Sequence, residues 1–334
     1  MTSAAETPLP LAAVRVLAGS GHATEASALA EQPWLIFRAG DVASATEARR
    51  LAEWLHQLPC PTLAVAGRDA SRAVLRACDV VLRDASDAAP LLAGIRRAPL
   101  AAAVLVQLLR VTEKLRIADA LYAESLAYAT LQGGAEHKRW LREQKPATVR
   151  GTDSGSAVEM ARSNGELVIE LNRPSRRNAI GVAMRDGLVE AFQLAAADDS
   201  IAKVRLRGRG KCFSVGGDLD EFGQVPDPAT AHAIRMATLP ARWLARCADR
   251  VEADLHSACI GAGIELPAFA RRVTAAPDTF FQLPELSMGL IPGAGGTVSI
   301  PRRIGRQRAA WLMLSGKRIN AKTALDWGLV DQIR

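Results

Sequence analysis

The stretch FQLPELSMGLIPGAGGT, residues 281–297, sets one acid, Glu285, directly after a proline and among Leu283, Leu286, Met288, Leu290 and Ile291, then runs into a glycine-rich segment. An acid surrounded by apolar groups loses solvation for its charged form, so its pKa rises towards values useful for proton transfer near neutrality. Taken alone, Glu285 reads as readily as a solvated loop acid.

Two stretches upstream have the same character. HSACIGAGIEL, residues 256–266, leads through Gly261-Ala262-Gly263 into a predicted helix with Glu265 in its first turn, where the helix dipole favours an acid even without chemistry. Pro267 suits a first-turn position, because the N–H it lacks is an orphan there. GRGKCFSVGGD, residues 208–218, carries a strand into Gly216-Gly217, and glycines at such a turn let backbone N–H groups approach a ligand. The segment is neither GxGxxG nor a P-loop. A serine nucleophile elbow needs Gly where Cys212 stands, so Ser214 is read as structural.

Around these stretches the chain is ordinary globular material. Its 334 residues, 49% apolar and 23% charged, imply about two domains. No apolar run approaches the roughly 18–20 residues of a membrane span, and no basic-then-apolar leader opens the chain, so a cytoplasmic location away from membranes is expected. Five cysteines without ligand spacing read as buried free thiols, with no metal expected. The net charge of +7 suits nucleic acid, an anionic surface or a phosphorylated small molecule, but with two Tyr and seven Phe no basic run is interleaved with aromatics. Nucleic-acid stacking is therefore excluded.

Residues 145–164 are poor in bulky apolar groups and divide the chain near 150. Beyond them, residues 167–171 and 204–207 read as strands and 183–197 as a helix. Residues 88–140 are almost entirely helical in character, with an apolar face of Leu91, Leu92, Ile95, Leu100, Val104, Leu108 and Leu109. A weak internal repeat pairs residues 14–21 with 204–210 and 37–42 with 213–219, each read as strand then glycine turn, and pairs 48–67 with 241–261.

From about residue 158 the chain resembles the crotonase superfamily, the enoyl-CoA hydratases and isomerases. The resemblance rests on NRPSRRNAI (172–180), GLIPGAGGT (289–297) and GKRINAKTALDWGLVD (316–331), in the family's order and spacing. It implies an α/β crotonase (ClpP/crotonase-like) fold of stacked ββα units, with a helical segment from the N-terminal half. Gly217 and Ala262 match the two oxyanion-hole positions, whose backbone N–H groups hold the substrate's thioester oxygen. Ala262 stands where the family usually has Gly. Glu265 and Glu285 match the two glutamates that activate water for addition across a C2=C3 double bond. Arg173, Arg177, Asn178, Ala179, Val215, Gly216, Asp218, Leu219, Gly261 and Gly293 match substrate- and CoA-binding positions. Asp220 and Glu221 stand where the family commonly has a basic residue near the CoA nucleotide; Arg173, Arg176 and Arg177, or Arg302, Arg303 and Arg306, are candidates to compensate.

The resemblance implies further that residues 1–87 are a degenerate, inactive crotonase-like repeat, with Arg72 near the place of Glu265. Residues 88–145 resemble the family's C-terminal oligomerisation helices, 146–157 form a linker and 158–334 the catalytic core. The expected activity is enoyl-CoA hydration on an acyl-CoA substrate, with coenzyme A as part of the substrate and no other cofactor. Isomerisation or another crotonase reaction is the alternative within the class, and a non-catalytic assembly subunit the alternative outside it. A homo-oligomer, trimer or hexamer, is expected, with the acyl group between residues 183–187 and 226–244.

Overall fold

The computed structural model describes residues 7–20, 26–144 and 153–334; residues 146–152 of the expected linker lie outside it. The first part of the chain runs α1 (Leu11–Ser20), β1 (Leu35–Ala39), α2 (Ala45–Gln57), β2 (Thr62–Ala66), α3 (Arg72–Ala77) and β3 (Val80–Leu82). Its strands form a parallel sheet in the order β1-β2-β3. The first partner of the proposed repeat differs from the strand expectation, since residues 11–20 are helical. Val14 and Val16 alternate like a strand, but Val16 is 70% exposed, while Leu11, Val14, Leu17 and Ala18 pack on the sheet at helical spacing.

Four helices follow: α4 (Ala89–Arg97), α5 (Pro99–Thr112), α6 (Ile117–Gln132) and α7 (Ala135–Glu143). Their buried faces, including Leu91, Ile95, Leu105, Leu109 and Tyr128, share one apolar core with Ile36 and Leu63 of the first sheet and with the second half of the chain. Among the described residues no single helix is long and apolar enough to cross a membrane.

The second half contains β4 (Val158–Ser163), β5 (Glu166–Leu171), α8 (Val182–Ala197), β6 (Lys203–Gly208), α9 (Pro228–Thr238), α10 (Pro240–Cys247), β7 (Val251–Leu255), β8 (Ala258–Ile260), α11 (Ala262–Glu265) and β9 (Arg272–Ala275). It continues through β10 (Phe280–Gln282), α12 (Gly296–Ile304), α13 (Arg306–Ser315), β11 (Ile319–Asn320), α14 (Ala321–Trp327) and β12 (Gln332–Ile333). One six-stranded sheet runs β12-β9-β7-β6-β5-β4, parallel except for β4 against β5. A smaller sheet, β11-β10-β8, stands beside it. Alternating burial along β5 and β7 marks strands with one face on the core, whereas β8 is apolar and nearly all buried.

A buried ionic hub joins the three parts. Asp79, at the start of β3, accepts from Thr62 N and Oγ1, from Arg110 of α5 (Nε 2.8 Å) and from Arg306 of α13 (Nη1 3.2 Å). Arg110 also donates to the carbonyls of His56, Leu58 and Cys60. A buried carboxylate survives when its lone pairs are met by donors of opposite charge, and here those donors come from three segments.

Candidate active site

The chain ends of β8 and β10 deliver the two acids. Gly261 follows β8 at φ +52°, a conformation that side chains resist, and a Cβ there would lie 2.6 Å from Glu285 Oε1 and 3.9 Å from Glu265 Oε1. The glycine is what lets both carboxyls converge. Glu265 closes the one-turn helix α11, shorter than the sequence suggested because Pro267 starts a separate 3₁₀ turn.

Glu265, Glu285, Gly217 and Ala262 line one cavity of about 220 Å³, together with Asp218, Glu221, Phe222 and Gly293. Neither the Gly217 nor the Ala262 N–H has an acceptor among the described residues. Gly216, at φ +84°, packs so closely under Ile260 that a Cβ would come within 2.5 Å of its carbonyl, which brings the two N–H positions together.

The acids differ in their surroundings. Glu265 is buried and its Oε2 accepts the N–H groups of Ala294 (2.7 Å) and Gly296 (2.9 Å), at the start of α12. Burial pushes its pKa well up, the charges of Glu285 and Glu124 add to this, and the two N–H bonds oppose it. Glu285 Oε2 is buried without a hydrogen-bond partner. Burial raises its pKa to about 8, and the Glu124 charge adds to the rise.

The enoyl-CoA hydratase/isomerase family model matches residues 161–334. The chain belongs to that family. Among its relatives, the 2,3-dehydroadipyl-CoA hydratase of Escherichia coli (strain K12) is 34% identical over 180 residues, 53% of this chain and 69% of that protein. A mitochondrial Delta(3,5)-Delta(2,4)-dienoyl-CoA isomerase of Mus musculus is 34% identical over 179 residues, 50% of this chain and 55% of that protein. The crystal structure of an enoyl-CoA hydratase from Thermoplasma volcanium GSS1 superposes with a TM-score of 0.50 at 35% identity, covering 54% of this chain and 72% of that one. The α/β crotonase fold is therefore shared.

Several family-derived positions serve the loops around the cavity instead of its wall. Asn178 is buried, donates to the carbonyls of Arg209, Cys212 and Phe213, and accepts from Arg173 N. Arg173 spends its guanidinium on the carbonyls of Gly155, Ser156 and Asn172. Arg177 is exposed, and its carbonyl accepts from Val215 N. Ala179, Val215, Gly216, Leu219 and Gly261 stand behind or beside the cavity, not among its lining residues. Ser214 is structural, as read, donating to Asn178 O.

The proposed arginine compensation meets a physical obstacle. Arg302 donates to Val298 O and Leu115 O, Arg303 to Ala268 O and Ala270 O, and Arg306 to Asp79 and Arg76 O, so each is committed to holding helices. Arg176 is paired with Asp218 (2.9 Å) and Asp220 (2.8 Å).

The sequence reading missed one wall of the cavity. Tyr128 and Gln132 line it from α6, and a Cβ on Gly293 would lie 2.2 Å from the Tyr128 ring. Arg235 of α9 sits over that ring at 3.9 Å and donates to Gly293 O. Residues 183–187 contribute Arg185, and 226–244 contribute Arg235, Leu239 and Pro240. The sequence shows Glu124, Tyr128 and Gln132 at helical spacing, but Asp119, Ser125 and Thr130 are polar on the same helix, so the stripe does not single them out.

Proposed function

We propose that this family member hydrates a 2-enoyl-CoA thioester. The observation carrying the proposal is the convergence of Glu265 and Glu285 on a cavity lined by two backbone N–H groups without acceptors, those of Gly217 and Ala262. As water adds at C3, negative charge moves to the thioester oxygen. Two fixed donors stabilise that enolate, each worth on the order of 10²-fold or more by analogy with acyl-transfer sites.

The surroundings distribute the proton-transfer roles. Burial raises both carboxyls, so geometry separates their roles: two N–H bonds hold the Glu265 carboxyl in place to take the proton from water, and Glu285, with an unpartnered buried oxygen, carries the proton delivered to C2. Each turnover returns the pair to its starting protonation through the water or solvent, and it titrates as one unit.

The far end of the cavity is mixed: Arg185, paired with Asp186, and Arg235, donating to Gly293 O and Gln132 Oε1, stand beside Ala231, Ile234 and Leu239. Arg185 and Arg235, with Gln132, border both it and an adjoining space of about 130 Å³. We read this as room for a short acyl tail with a terminal acceptor such as a carboxylate, in keeping with the named dehydroadipyl substrate of the bacterial relative.

The test is loss of conjugated absorbance on 2-enoyl-CoA thioesters with alkyl or carboxylate-ended tails, with Glu265→Gln and Glu285→Gln beside the parent. Hydration lowered by roughly 10²-fold or more in each variant, and fastest for carboxylate tails, is expected. Double-bond migration without water incorporation would replace hydration by isomerisation, the activity named for the mouse relative. A parent silent on the whole panel would overturn hydration, and CoA binding would then separate an enzyme of different crotonase chemistry from an assembly subunit.

A further inference from the structure

The N–H groups of residues 294–297, leading into the nine-residue helix α12, are shared alternately by two carboxylates. Ala294 and Gly296 donate to Glu265 Oε2, whereas Gly295 donates to Glu124 Oε1 (2.8 Å) and Thr297 to Glu124 Oε2 through both N (2.9 Å) and Oγ1 (2.7 Å). Glu124 is fully buried and comes from α6, more than 170 positions away in the chain. Gly295 is held at φ +104°, and a Cβ on Gly296 would lie 2.5 Å from Glu265 Cγ, so the Gly296 backbone packs directly against the Glu265 side chain.

We propose that Glu124 is a positioning residue for Glu265, fixing the peptides of Gly295 and Thr297 so that those of Ala294 and Gly296 face the Glu265 carboxyl. The role deepens the hydratase reading and rests on it. Apolar packing alone does not account for the arrangement, since a buried carboxylate is costly and four donors on one short segment need only a capping acceptor or two. The alternation orients every second peptide in one direction, which is what a fixed carboxyl rotamer beneath a reacting centre requires.

Glu124 also acts on charge. The titratable groups facing it are Glu265 from α11, Glu285 from the turn after β10, Arg235 from α9 and Tyr128 one turn further along α6. Burial raises the Glu124 carboxyl to about 7, against the hydrogen bonds from Thr297 and Gly295 and the charge of Arg235. Its negative charge holds the other two acids in their protonated forms to higher pH.

The experiment uses the full chain with Glu124→Gln, Glu124→Asp and Thr297→Val. On a 2-enoyl-CoA thioester, Glu124→Gln is expected to lower kcat by about 10- to 100-fold with little change in KM, because misplacement of a catalytic group acts on the reacting geometry. The basic limb of its pH–rate profile moves to lower pH. Glu124→Asp keeps the charge and returns the limb towards the parent position, and Thr297→Val, which deletes one donor, lowers kcat less. In parallel, proteins labelled with ¹³C at glutamate side-chain carboxyls are titrated by NMR, with Glu265 and Glu285 assigned from their Gln variants. Lower midpoints for both in folded Glu124→Gln support the role whether or not the protein turns over. A parent without hydration overturns the hydratase reading alone. Unchanged midpoints in a folded Glu124→Gln protein, or an unchanged kcat and pH profile in an active one, overturn the role of Glu124.

Discussion

Removing the carboxylate of Asp79 tests how the three parts of the chain are joined. Asp79→Ala deletes the acceptor of Thr62 N and Oγ1 and the counter-charge of two guanidinium groups, Arg110 and Arg306, whose side chains are 3% and 6% exposed. Breaking a buried pair by removing one partner costs about 3–5 kcal/mol, since a charge is left uncompensated. Arg110 keeps three carbonyl acceptors and Arg306 keeps Arg76 O and Glu113 at 3.4 Å, which places the cost towards the lower end. At about 2 °C per kcal/mol for a large chain, a cost of about 3–4 kcal/mol lowers Tm by roughly 6–8 °C. Thermal melts by circular dichroism, with urea unfolding for ΔG, would measure it. Asp79→Leu combined with Arg110→Met should recover part of the loss, as apolar replacement of buried ion pairs often does. A shift under about 2 °C for Asp79→Ala, or two well-separated transitions in the parent, would refute the view that this hub ties α5 and α13 to the first sheet.

Folded Glu124 and Glu285 hold protons up to about pH 7 and 8, whereas the unfolded chain releases them near 4.5, so these groups make unfolding free energy fall as pH rises from about 5 to 8. Urea titrations across that range check this, and Glu285→Gln should flatten the slope. Gly293→Ala places a methyl 2.2 Å from the Tyr128 ring and should cost about 1–3 kcal/mol and most of the activity; a fully active, equally stable variant would show that the ring yields freely. Burial raises the thiols of Cys60 to about 12 and of Cys247 to about 11, with Cys78 and Cys259 raised as well, so the native protein should react slowly with an aromatic disulfide reagent at pH 8 and release five thiols only on unfolding.

The local chemistry of the site was legible in the sequence wherever the residues that make it are close in the chain. Gly261 precedes Glu265 by one helical turn, and Gly216-Gly217 sit directly after a strand, so glycine placement and acid spacing sufficed. The helices between residues 88 and 143 were legible too, from apolar residues at helical spacing. What escaped were contacts between segments. Glu124 on a mostly apolar helix is indistinguishable from a surface acid until α6 is seen against residues 294–297. The arginines of α12 and α13 looked like anion ligands because sequence records their charge but not the carbonyls they cap. Residues 14–21 read as strand then turn because two valines at alternate positions outweigh a helical stripe whose partner, Phe37, lies on another element.

One wall of the cavity is carried by α6, and the acids stand well over a hundred residues further on. During synthesis the helices therefore leave the ribosome before the surface they cover. At roughly 5–20 residues per second, the interval between Glu124 and Thr297 lasts on the order of 10–35 s. Over that time the first sheet can shelter only part of α4 and α5, and α6 carries its buried Glu124, with no glycine-rich turn yet to receive it. The reaction centre therefore assembles only once the glycine-rich turn of residues 293–297 has been made, long after the helix that supplies its wall.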